Sequence, residues 1–177
     1  MYNLHSILIQ LKKEDTPLHG VMVRCVRCFY QWLDPTLWEG SALFELWAQE
    51  LELIYGDLRQ RLSPNAKTDA GSLGDRFGFD TPPELPRLLQ SIQTFYSVLI
   101  KLIAWNTLRG ATPEPPLTEL LSGRAFVNRG IRNFCGDDWY IWPLDIWDPA
   151  LETQCEELRA CLESFDTCPE GSTLSPD

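Results

Sequence analysis

Apolar residues in this chain recur at helical spacing almost throughout. Leu18, Met22, Cys25, Phe29 and Leu33 follow one another at intervals of three and four. Two further sets repeat the pattern: Leu43, Trp47, Leu51, Ile54, Leu58 and Leu62, then Leu88, Ile92, Phe95, Leu99, Ile103 and Leu108. A fourth, Leu151, Cys155, Leu158, Leu162 and Phe165, follows Asp148-Pro149, a side-chain N-cap with proline at the first helical position. Each set lays an apolar stripe along one helix face, which must be buried against another element. The expected fold class is therefore mostly α, an irregular multi-helix bundle with long loops. Only Gly123–Asn133 and Trp139–Trp142 look short and extended, leaving room for one small β-hairpin.

Punctuation divides these stripes. Residues 63–86 are rich in Gly, Pro, Asp and Ser and read as a long loop, and the Pro-rich stretch 110–116 must interrupt any helix. The expected organisation is a single helical domain over 1–165, followed by a disordered acidic tail over 166–177. With 177 residues, one core can bury roughly 70% of the unfolded chain's surface, so no metal or disulfide staple is needed. No uninterrupted apolar run reaches the ~18–20 residues of a membrane span, and Met1–Leu11 lacks a basic start and a small-residue cleavage site. The expectation is a cytoplasmic protein with no membrane partner and all six cysteines reduced.

Charge is unevenly placed. The net charge is −10, yet residues 137–177 hold eleven acidic residues and one basic residue, Arg159, so the remainder is balanced. Such an end repels nucleic acid at long range. It reads either as a solvated acidic helix and tail or as a surface that abuts a basic neighbour.

Candidate chemistry is sparse. Cys25-Val26-Arg27-Cys28 is a C-x-x-C, but no second pair completes a tetrahedral zinc site, and Cys25 falls on an apolar helix face, the place of a structural thiol. His5 and His19 match no ligand spacing, and nothing pairs a nucleophile with a base. Neither phosphate-binding glycine pattern occurs. No catalytic, metal-binding or cofactor-binding residue is assigned, and no cofactor is expected in this chain. The densest unusual feature is Trp139-Tyr140-Ile141-Trp142-Pro143-Leu144-Asp145-Ile146-Trp147, flanked by acids. Its rings anchor the segment on the core, form a contact plate for another domain, or stack on bases, and the flanking acids favour the domain over the bases. On the second reading Asp137, Asp138, Trp139, Tyr140 and Trp142 are the candidate domain-contact residues. Arg124, Arg129 and Arg132 are candidate nucleic-acid contacts, but three arginines are a thin footprint, so contact with DNA is expected to be indirect.

Three separated stretches also carry a resemblance. Trp47-x₃-Leu51-x₃-Tyr55-Gly56, then Gln93-Thr94-Phe95-Tyr96-x₂-Leu99-x-Lys101-Leu102-Ile103-Ala104, then Gly130-Ile131-x-Asn133-Phe134-x₂-Asp137-Asp138-Trp139-Tyr140-x-Trp142-x-Leu144, occur in one order. Together they resemble the helical region that precedes the catalytic domain in large adenine-specific (N-6) DNA methylases of restriction-modification and phage-defence systems. The resemblance covers about Phe44 to Phe165. It implies an accessory region that packs on or positions a methylase domain. The S-adenosylmethionine loop and the Asn/Asp-Pro-Pro-aromatic motif would belong to that partner, because Thr81-Pro82-Pro83 and Glu114-Pro115-Pro116 match neither side of the motif. The chain stops at Ser175-Pro176-Asp177, about where the resemblance implies the connection into the catalytic domain, which makes a fragment, a split gene product or a separate subunit the natural readings. The alternative is a free-standing interaction module of a prokaryotic defence or regulatory system.

Overall fold

The computed structural model describes residues 4–34, 41–55, 73–108, 110, 112–135 and 138–164; at Leu4, 41–43, 51, 52, 54, 55, 138 and 139 the backbone alone is described. The chain order is α1 (Leu4–Lys12), α2 (Pro17–Trp32), α3 (Ser41–Tyr55), α4 (Leu85–Leu108), α5 (Leu117–Leu121), α6 (Arg124–Val127), α7 (Asp138–Ile141), a 3-10 turn (Trp142–Leu144) and α8 (Pro149–Glu163). The fold is mostly α, and no strand occurs among the described residues.

Local chemistry starts the two best-defined helices. Thr16 caps α2, its hydroxyl accepting from the His19 N–H at 3.2 Å with Pro17 next. Asp148 caps α8 in the same way, its carboxylate accepting from the Leu151 N–H at 2.8 Å ahead of Pro149. Both apolar stripes then point inward: Leu18, Met22, Cys25 and Phe29 on α2, and Leu151, Cys155, Leu158 and Leu162 on α8, are buried. These two helices make the most extensive contact in the molecule. Phe165, the last member of the α8 stripe, lies outside the described residues.

The central element is α4, which touches α2, α3, α5, α7 and α8. Its stripe of Leu88, Phe95 and Leu99 is buried, but so are Gln90, Ser91, Thr94, Val98, Lys101, Leu102 and Trp105. A helix enclosed on several sides no longer shows a single apolar face. By length and composition alone α4 could cross a membrane, and 56% of its apolar window is buried inside the fold. Three of its buried polar members bond to backbone carbonyls: Ser91 and Thr94 hydroxyls donate to the carbonyls one turn back, and Lys101 Nζ donates to the Leu121 carbonyl at the end of α5 at 2.7 Å.

Two expectations are corrected. Gly123–Asn133 and Trp139–Trp142 are not extended strands of a hairpin; the first contains α6 and the second runs through α7 into the 3-10 turn. Gly123 at φ +80° and Gly130 at φ +76° bracket α6, so glycine turns there reverse short helical pieces. In the expected loop 63–86, residues 73–76 form a helical turn and α4 begins at Leu85, while 63–72 lie outside the described residues. Leu58, Leu62 and the tail 166–177 also lie outside them. The break at 110–116 is non-helical over 112–116. Arg129 donates to the Leu108 carbonyl and the Thr112 hydroxyl, and Arg159 pairs with Glu114 at 3.5 Å and reaches the Pro115 carbonyl.

Candidate functional site

The three stretches that carry the resemblance meet at one side chain. Gln93 lies on α4, and its Oε1 accepts from Trp47 Nε1 of α3 at 3.2 Å and from the Tyr140 hydroxyl of α7 at 2.6 Å. One residue on, Thr94 Oγ1 accepts from Trp142 Nε1 at 2.9 Å. Helical periodicity puts Gln93 toward α3 and α7, and the amide oxygen has lone pairs for both donors. Partners about forty-six residues away on either side are thus tied to one turn of α4.

Beside this node is an open cleft of about 350 Å³, lined by Gln93, Tyr96, Ser97 and Ile100 of α4 and by Asn133, Phe134 and Tyr140. Ile100 is 54% and Tyr96 42% exposed. They sit four residues apart and off the buried stripe, so they share an outward face of α4. Phe134, which also lines the cleft, tilts against Phe126 at 4.6 Å between ring centroids. The lining mixes Ile100, Phe134 and two tyrosine rings with the polar Gln93, Ser97 and Asn133, a composition suited to an inserted apolar side chain and a hydrogen-bonding neighbour.

The candidate domain-contact residues separate on this geometry. Trp142 is corrected from a contact plate to a core residue: it is 1% exposed, meets Phe29 edge-on at 5.9 Å, and its N–H is satisfied by Thr94. Tyr140 is half-buried and lines the cleft. Asp138 and Trp139 lie on the backbone of α7, and Asp137 lies outside the described residues. Ile100 was absent from the sequence candidates, although an apolar residue off the α4 stripe is a legible signal.

The candidate nucleic-acid contacts separate too. Arg124 and Arg132 are exposed. Arg129 does not stand free for phosphate: it is bonded across the 108–112 break and stacks over Trp105 at 5.4 Å.

The thiols between α2 and α8 are poor nucleophiles. Burial pushes the Cys25 thiol well above its ordinary value, with Cys155 and Cys28 adding to the effect. Burial likewise holds Cys28 at about 11 and Cys155 at about 12. A thiol that keeps its proton neither attacks nor ligates at neutral pH. Among the described residues no group of His, Cys, Asp and Glu could hold a metal ion. No family model, curated protein or solved structure matches the chain.

Proposed function

We propose that this chain is a non-catalytic helical accessory region of a site-specific DNA adenine methyltransferase, one that packs on or positions the methylase domain. The observation that carries the reading is the convergence of Trp47, Gln93 and Tyr140 beside the exposed cleft of Tyr96 and Ile100. One residue from each stretch that carries the resemblance thus meets at Gln93, and this node borders an apolar surface of the kind a partner covers. On this reading the partner contributes S-adenosylmethionine binding, base capture and methyl transfer. The accessory region contributes a rigid surface, and its contact with DNA is indirect.

The test begins with the reading frame downstream of codon 177, or an adjacent one, in search of Asn-Pro-Pro-aromatic. The encoded methylase domain is then titrated against the wild-type chain, Ile100→Glu and Leu53→Glu. Leu53 is 83% exposed and does not line the cleft, so its variant controls for added charge. Ile100→Glu is expected to weaken association by about tenfold or more, the scale of a lost interface anchor, with Leu53→Glu unchanged. Absence of such a frame, or equal binding by all three, rejects the reading in favour of a free-standing interaction module.

A further inference from the structure

A second cleft lies between α1, α2, the turn at 73–76 and α4. It holds about 270 Å³, just below the ~300–1,000 Å³ usual for small-molecule sites. Leu11, Met22 and Phe77, each at most 7% exposed, supply apolar wall. The ionisable nitrogen-bearing side chains at this cleft are Lys12, Arg76 and His19, with no carboxylate in the lining, and Tyr96 adds a hydroxyl. His19 Nδ1 donates to the Leu11 carbonyl at 2.9 Å, which leaves Nε2 as its remaining polar atom.

The charge pattern makes this cleft unusual. The chain carries ten excess acids, and Arg24, Arg87 and Arg159 are each paired with a carboxylate. Among the described residues neither Lys12 nor Arg76 has a carboxylate within ion-pair distance. Two exposed cations with no carboxylate partner among the described residues, lining a cleft with apolar walls, provide an attractive field for a negative head group while the walls take a hydrocarbon body.

We infer that this cleft is a binding site for a small amphipathic anion, a carboxylate or phosphate on a compact apolar body, held by Lys12 and Arg76 with its body against Leu11, Met22 and Phe77. The inference does not rest on the methylase reading: Tyr96 lines both clefts, but Lys12, Arg76, Leu11, Met22 and Phe77 line this one alone.

Met22 makes the test specific. The chain has two methionines, so methyl-labelled methionine gives two signals, and Met22→Leu assigns the one in the cleft. Octanoate is titrated into the full chain and into Lys12→Gln and Arg76→Gln, both at exposed positions, with octanol as the uncharged comparison. Octanoate is expected to shift the Met22 signal saturably. Each variant should weaken the response about threefold to fivefold, and octanol should bind more weakly, as expected for partly exposed charge contacts. An unmoved Met22 signal, or equal binding of octanoate and octanol, or unchanged binding in both variants, overturns the proposal.

Discussion

At Trp142 one side chain joins three elements: the 3-10 turn carrying it, Phe29 of α2 and Thr94 of α4. Trp142→Phe keeps an aromatic ring against Phe29 but removes the N–H to Thr94, and is expected to cost about 1 kcal/mol. Trp142→Ala leaves a cavity as well and should cost about 3–5 kcal/mol. Urea unfolding of both variants, followed by far-UV circular dichroism, measures the difference. Near-equal midpoints for the two would show that the ring contributes nothing beyond its hydrogen bond. Gly123 is constrained as tightly. Its φ is +80°, and a Cβ there would meet the Phe134 carbonyl oxygen at 2.3 Å. Gly123→Ala is expected to destabilise by about 2 kcal/mol, through strain plus a displaced backbone, and the same unfolding assay reads it. The burial of Trp142 was not legible from its segment. An aromatic cluster looks alike whether it anchors a loop or awaits a partner, and only its distance from Thr94 and Phe29 decides.

Between elements, the α2–α8 pair separates strong from weak contributions. The salt bridge from Arg24 to Glu157 is short, at 2.7 Å, but both side chains are about half exposed, so water and salt screen it. The cap at Asp148 satisfies a backbone N–H that no helical carbonyl can reach. Thermal unfolding is therefore expected to rank Asp148→Ala, at about 1 kcal/mol, above Arg24→Ala, at about 0.5 kcal/mol, with Leu158→Ala far above both at about 2–5 kcal/mol. A larger loss from Arg24→Ala than from Asp148→Ala would reverse the assignment. The cap of α8 and the stripes of α2 and α8 were legible because both signals are local: a cap needs three residues and a stripe needs one face. Short α5, α6 and α7 were not, because pieces of four or five residues carry too few turns to show a period.

Across the whole molecule, the buried thiols of α2 and α8 set a pH dependence. A thiol whose pKa is raised by folding holds its proton more tightly in the native state. The associated stability is complete below the unfolded value near 9 and is lost as pH rises toward about 11 for Cys28 and about 12 for Cys155. Stability is expected to fall across that window as the unfolded chain's thiols ionise. Cys28→Ala and Cys155→Ala should each show a shallower fall than the wild-type chain, measured as urea midpoints at stepped pH. Identical slopes would mean that these thiols are not desolvated in solution. Charge at this scale was only half legible. The surplus after residue 137 is plain from composition, yet Glu157 is paired with Arg24 and Glu156 with Arg159, so part of the acidic end is neutralised within the fold.

The order of residues alone dictates helical class, the start of α8 and the Pro-rich interruption, because caps, prolines and periodic stripes act over a few positions and need no distant partner. Tertiary packing decided the remainder. It enclosed α4 and brought Trp47 and Tyr140 to Gln93. It also buried Trp142, tied Arg129 to its own backbone, and left Tyr96, Ile100, Lys12 and Arg76 facing clefts. Each of these outcomes depends on which helix faces come together, and that follows from the volume and burial of the assembled core, not from any local run of sequence.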